Sequence, residues 1–155
     1  MVTTTAPTTG KDGLGTTIKM GNGASPEVFS QIANVVTLDG PGETMATIDA
    51  THLLSPGFYM EKVAGLLDGG QVTLMLQFDP AQPTHNLAIG LKHKLSGRIL
   101  TNFIIDFSLT GLMGDNTIAF SAFVTNLGKS VAVGKLVEQA VTLMLSGPTT
   151  WAPAA

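Results

Sequence analysis

The chain has 155 residues, a formal net charge of −3 and no cysteine; 12% of its residues are charged and 44% are apolar. This length suits one domain with a single core. The lack of cysteine excludes disulfides and a cysteine-ligated metal site. The net negative charge does not favour binding to nucleic acid. No run of about 18 apolar residues occurs, so no spanning helix is expected. The low charge instead favours a protein whose surface is buried in an assembly.

The two ends of the chain differ in composition from its middle. Residues 1–14 are rich in Thr, Pro and Gly and show no periodicity, and residues 147–155 are similar apart from Trp151. Such segments bury too little apolar area to offset the entropy of ordering, so they are predicted to be flexible arms. Because residues 1–14 lack a basic and an apolar region, no Sec signal peptide is expected. One central domain is predicted over residues 15–146.

Most of the central domain shows the period-two alternation of half-buried strands. In the clearest case Val72, Leu74, Leu76 and Phe78 share one face. The same pattern predicts strands over 16–20, 28–38, 44–51, 99–107, 118–124 and 137–145. Turns are predicted at 39–42 and 68–70, where Gly and Pro cluster.

One segment has helical rather than strand periodicity. Its apolar residues fall within about 100° on a helical wheel, the stripe of a helix that lies on a core, and they are Leu87, Ala88, Leu91 and Leu95. Pro83 precedes the segment and Gly97 follows it, as is usual at helix ends. The predicted fold is mainly β, with two packed antiparallel sheets, sandwich- or barrel-like, and one flanking α-helix.

The sequence offers no constellation for catalysis, a cofactor or a metal. His85 and His93 would project about 80° apart on the predicted helix, so both are expected to be exposed and not to share an ion. His52 is alone in a predicted loop, and residues 10–16 have the composition of a phosphate loop but not its order. The chain is therefore not expected to be an enzyme or to hold a cofactor.

The second face of the strand at 117–125 leaves two interpretations open. It carries Thr117, Ala119, Ser121, Phe123 and Thr125, which are neither core-like nor strongly charged. Such a face suits either burial against a neighbouring copy or ordinary exposure to solvent.

The middle of the chain carries an ordered series of motifs. A Gly-Pro-Gly turn at 40–42 is followed by Ile-Asp-Ala-Thr at 48–51, Ser-Pro-Gly at 55–57, Gly-Leu-Leu-Asp-Gly-Gly at 65–70 and Phe-Asp-Pro at 78–80. In this order and spacing the chain resembles the tail tube proteins of lambda-like siphophages, from roughly residue 13 to 146. The Asp-Gly-Gly and Ser-Pro-Gly motifs are common turns by themselves, so the resemblance depends on the order and spacing of the whole series.

The resemblance implies a structural role in the virion tail. It implies a homo-hexameric ring that stacks into a hollow tube, assembly in the host cytoplasm, and contacts with tape measure, tail tip and terminator proteins. Phage DNA would pass through the lumen without specific binding, and no membrane insertion is implied. The resemblance implies an acidic lumen but leaves open which carboxylates line it among Glu43, Asp49, Asp106, Asp115 and Glu138.

The resemblance also implies that the loop at 51–68 reaches an adjoining ring. This loop is strongly apolar, and the predicted interface residues are Leu53, Leu54, Phe58, Tyr59, Met60 and Leu66. An isolated subunit would expose them to water, whereas a stack of rings would bury them. The alternative is that the loop folds back onto its own core.

Two other functions compete with the tail tube. A ring-forming tail terminator or neck protein would stop growing instead of stacking indefinitely. A monomeric β-sandwich that binds carbohydrate would be expected to offer an aromatic platform, and the chain has one Trp and one Tyr.

Overall fold

The computed structural model describes residues 13–107 and 116–153, so most of the predicted N-terminal arm lies outside the described residues. Within them the chain is mainly β, with two antiparallel sheets and one short helix, which confirms the predicted fold class. The strands are β1 Thr17–Gly21, β2 Phe29–Gln31, β3 Val35–Asp39, β4 Thr44–Asp49, β5 Lys62–Asp68, β6 Gln71–Gln77, β7 Thr101–Asp106, β8 Asn116–Ser130, β9 Glu138–Leu145 and β10 Thr150–Pro153. The helix is α1, Leu91–Ser96.

The large sheet is rolled up. Its strand order is β2-β1-β7-β8-β9-β6-β3, with β10 also paired to β8. In a flat sheet β2 and β3 would lie about 29 Å apart, six spacings of ~4.8 Å. Yet only residues 32–34 separate them in sequence, a connection that spans at most about 14 Å. The two ends of the sheet must therefore approach each other.

The hydrophobic core fills the inside of this rolled sheet. Strands from both ends and the middle contribute to one cluster, in which Ile18, Leu76 and Phe103 are fully buried. The Phe103 and Phe120 rings stack with centroids 5.7 Å apart across the β7–β8 pair. These residues occupy alternate positions of their strands, so the inward face follows the alternation seen in the sequence.

The helix is shorter than predicted. It begins at Leu91, which is buried, and Gly90 precedes it. Leu87 and Ala88 lie in the turns before the helix and are exposed, so their assignment to the helical stripe was wrong. A Cβ on Gly90 would lie 2.5 Å from the carbonyl oxygen of Thr84, and this close backbone approach, with the Leu91 amide bonded to that oxygen, starts the helix late.

The C-terminal segment contains a strand that its composition did not predict. β10 pairs antiparallel with the beginning of β8, so that Trp151 lies opposite Ile118. The Trp151 indole N–H donates to the Thr149 hydroxyl at 3.1 Å, and that hydroxyl donates in turn to the Glu43 carboxylate. These bonds attach the segment to the turn between β3 and β4.

Candidate assembly surface

The second sheet is a two-stranded hairpin that projects from the large sheet. We call residues 44–68 the projecting hairpin; it consists of β4, β5 and the connection between them. It continues the β3–β6 pair, because Asp39 lies opposite Thr73 and Thr44 lies opposite Asp68. The predicted loop at 51–68 is therefore too long: β5 occupies residues 62–68, and Leu66 lies in a strand.

Glycines shape the base of the projecting hairpin. Gly70 has φ +72, and a Cβ there would clash with the carbonyl of Gly42, which lies in the facing segment just before β4. The Gly70 carbonyl accepts a hydrogen bond from the Leu145 amide at 3.0 Å. The left-handed backbone at Gly70 is costly for any residue with a Cβ. This glycine therefore lets the segments before β4 and after β5 pass closely where the hairpin leaves the sheet.

Both faces of the projecting hairpin are apolar. Met45 lies opposite Leu67, and Ile48 lies opposite Val63. Because Met45 and Ile48 are three residues apart in one strand, the two pairs project from opposite faces. All four side chains are exposed. Both faces are therefore available to a partner, and contact with one would stabilise a two-stranded ribbon that is marginally stable alone.

A β-bulge lies between these two pairs. The register advances by two residues in β4, from Met45 to Thr47, but by three in β5, from Leu67 to Ala64. The extra residue twists the ribbon, and Leu66 is exposed within the bulge.

Polar side chains hold the tip of the hairpin together. The Ser55 hydroxyl donates to the Glu61 carboxylate at 2.5 Å, and His52 Nε2 lies 3.3 Å from the same oxygen. The Thr51 hydroxyl accepts from the Glu61 amide at 3.0 Å. Pro56–Phe58 forms a 3₁₀ turn. The polar groups of the tip thus bond to each other and leave its apolar side chains facing outward.

Hydrogen bonds also fix the carboxylate of Asp49 at the end of β4. The Thr51 amide donates to its Oδ1 at 2.9 Å. The Thr51 hydroxyl and amide together lower the pKa of the Asp49 carboxyl below its ordinary value, because both stabilise the charged form.

The predicted interface residues are all exposed in the isolated chain. Leu53 and Phe58 are as accessible as in an extended peptide, at 105% and 106% relative exposure. Leu54, Tyr59, Met60 and Leu66 are exposed as well. The structure brings five of them to the tip and places Leu66 on the ribbon. The alternative in which this segment folds back on its own core is not what the structure shows.

The histidines form no site in the part of the chain that the structure describes. His85 is buried, and the expectation that it would be exposed was wrong: Nε2 bonds to the Ala33 carbonyl at 2.9 Å and Nδ1 to the Asp79 amide at 3.2 Å. A main-chain partner leaves no signal in sequence spacing. His93 is exposed on α1 as predicted.

Residues 13–107 and 116–153 contain neither a metal-binding cluster nor a membrane-spanning helix. No group of three or more His, Asp or Glu is placed to hold a metal ion. No helix there is long and apolar enough to cross a membrane.

Two more of the carboxylates considered for the lumen make side-chain contacts within the subunit. Asp106 pairs with the Lys19 ammonium at 3.1 Å across the β1–β7 pair, and Glu43 accepts from Thr149. Asp115 lies outside the described residues. The outward face of β8 is half-buried at Thr117, Ala119 and Ser121 and exposed at Phe123 and Thr125, so both interpretations of this face stay open.

The projecting hairpin exposes a large apolar surface, and such a surface marks a site of interaction with other chains. The family comparison agrees: residues 14–155 match the phage tail tube family, lambda-like type. The chain belongs to this family and is a structural subunit of a phage tail tube. A search of curated protein sequences found no match.

Solved structures with a similar fold include proteins of tail assemblies. The chain superposes on a protein of the virion of a native gene transfer agent particle with a TM-score of 0.70 and 13% identity, covering 92% of this chain and 99% of that one. A protein from the tail of an empty gene transfer agent particle, refined with C6 symmetry, superposes with a TM-score of 0.71 and 15% identity, covering 92% of this chain and 99% of that one. The SPP1 tail tube superposes with a TM-score of 0.62 and 8% identity, covering 90% of this chain and 77% of that one. At these identities the likeness shows a shared fold.

Proposed function

We propose that this subunit forms hexameric rings that stack through the projecting hairpin into a hollow tube, and that phage DNA passes through the lumen during ejection. The observation that carries the proposal is the exposure of the hairpin: the five large apolar side chains at its tip are all exposed in the isolated chain. Burying a large apolar side chain contributes about 1.5–3 kcal/mol. Several such residues on one hairpin therefore favour association.

Six-fold rings are supported by the symmetry of related assemblies. One similar structure was refined with C6 symmetry, and another similar chain belongs to a six-fold symmetrised baseplate. We extend that symmetry to this chain on the shared fold. The formal net charge of −3 suits a conduit, because like charges would keep DNA from adhering to it.

The wider setting follows from the same role. Subunits would assemble in the host cytoplasm and would meet a tape measure protein, a tail tip and a terminator, without a cofactor and without inserting into a membrane. A ring-forming terminator or neck protein is the second candidate; the match to the tail tube family favours the tube.

Electron microscopy of the full-length protein at high concentration tests this function. We expect hollow tubes whose cross-sections average with six-fold symmetry, either spontaneously or after addition of tail tip components. Closed single rings that do not stack under either condition would support the terminator. A strict monomer in both conditions would contradict ring formation altogether.

A further inference from the structure

A groove lies beside α1 at one end of the large sheet. It has a volume of about 780 Å³ and is formed by the segment after β6, by α1 and by the end of β8. We call it the end groove. Its principal lining residues are Phe78, Leu87, Leu95, Leu127, Lys92 and Lys129.

Side-chain contacts give the end groove a defined wall. The Phe78 ring stacks on His85 with centroids 6.0 Å apart, and Lys129 Nζ lies 3.7 Å from the centroid of the Phe78 ring. His85 is itself buried and bonded to Ala33. The groove is thus preformed in the isolated chain, a condition that lowers the cost of binding.

The end groove and the projecting hairpin lie at opposite ends of β6. This strand begins at Gln71, directly after the hairpin base, and ends at Gln77, directly before Phe78 in the groove. Seven residues of strand separate the two features by about 24 Å. One subunit therefore presents an apolar projection at one end and an apolar recess at the other.

The charges of the two features are also complementary. The groove lining contains Lys92 and Lys129 and no carboxylate. Among the tip residues 50–61 the charged side chain is Glu61. Asp49 lies opposite Lys62 where the strands meet the tip, and Asp68 lies at the base of the hairpin, away from the tip. Complementary charge would set the orientation in which a tip enters a groove.

We propose that the hairpin tip of one subunit docks in the end groove of a subunit in the next ring. This proposal rests on the proposed function, because it identifies the receiving surface for the hairpin. A projection and a recess at opposite ends make a heterologous contact, and such a contact repeats indefinitely when its rotation does not close on itself. The same contact would then join every ring to the next and give the stack one direction.

Site-specific crosslinking tests the docking, and the absence of cysteine from the chain makes it straightforward. The test variant combines Leu54→Cys at the tip with Leu87→Cys at the groove; both side chains are exposed, so the fold should tolerate the changes. The control combines Leu54→Cys with Leu14→Cys. Leu14 is also exposed, but it precedes β1 near the beginning of β8, far from the groove.

Both variants would be assembled and treated with a short flexible bis-maleimide, then separated on a denaturing gel. We expect a ladder of covalent oligomers from the tip–groove pair and, at most, a trace of dimer from the control. The ladder arises because each subunit is linked at both ends.

The two possible failures are distinguishable. If electron microscopy shows tubes and the tip–groove pair gives no more product than the control, the docking proposal is overturned and the proposed function stands. If the wild-type chain forms no tubes with tail tip components, the proposed function fails, and the same gel still decides whether tip and groove meet in solution.

Discussion

The imidazole Nε2 of His85 lies 2.9 Å from the carbonyl oxygen of Ala33, and this bond joins two distant parts of the chain. Ala33 lies in the short connection between β2 and β3, whereas His85 lies in the turns between β6 and α1. The bond therefore holds the closing connection of the rolled sheet against the wall of the end groove.

We expect His85→Leu to destabilise the fold. The change leaves the Ala33 carbonyl and the Asp79 amide without their imidazole partner, and each unsatisfied buried group costs about 1–3 kcal/mol. Urea unfolding of the dilute protein would measure the loss. The exposed His93→Leu is the matched control, with an expected change within about 0.5 kcal/mol. Equal effects of the two substitutions would contradict the structural role of His85.

The core should depend strongly on Phe103. It is fully buried and stacks on Phe120, so Phe103→Ala should lower the free energy of unfolding by about 3–5 kcal/mol. Phe123→Ala, on the outward face of β8, should cost much less because its side chain already contacts solvent. Thermal or urea unfolding of both variants gives the comparison, and a larger loss at Phe123 would contradict the assignment of the inner face.

The sequence predicted these core strands well because a buried face imposes period two on each of them. β6, β7 and β9 were all predicted within a residue or two of their observed bounds. β5 was not predicted, because the hairpin has no core of its own to impose alternation: Val63, Leu66 and Leu67 follow no period. β8 runs on to Ser130, past a register shift that breaks its alternation.

The candidate surface was predicted by composition and not by geometry. Leu53, Phe58 and Met60 were conspicuous as apolar residues in a loop, and the resemblance to tail tube proteins suggested what they do. The end groove gave no such signal, because the turns before α1 that form its wall depend on the burial of His85. That burial rests on main-chain partners, which sequence spacing does not reveal.

Gly70 should be indispensable to the base of the projecting hairpin. Gly70→Ala places a Cβ in a left-handed conformation, a cost of about 1–2 kcal/mol, and against the Gly42 carbonyl as well. We expect faster amide exchange in β4 and β5. Gly42→Ala is the control, since a Cβ there has no neighbour within 4 Å. If both variants exchange like the wild type, the close approach at the base is not required.

Asp49 should titrate below the ordinary value of 3.8 for an aspartate. Thr51 lowers the pKa of Asp49 in the folded chain below its value in the unfolded chain. The charged carboxylate therefore stabilises the hairpin fully above the unfolded pKa, and this stabilisation is lost as the pH falls through the folded pKa. Carboxyl chemical shifts followed by NMR on the unassembled protein would give the midpoint. Thr51→Val removes the hydroxyl donor and should move that midpoint up; a midpoint that is unchanged would show that the hydroxyl does not act on Asp49.

The central claim is that the projecting hairpin drives growth of the tube. Phe58→Asp places a charge at a fully exposed tip position, so the fold should be intact while the buried interface is lost. Phe58→Leu keeps the position apolar and serves as the control. We expect negative-stain electron microscopy with sedimentation to show tubes from the wild type and from Phe58→Leu, and only unstacked subunits or rings from Phe58→Asp. Tubes of normal length from Phe58→Asp would contradict the account.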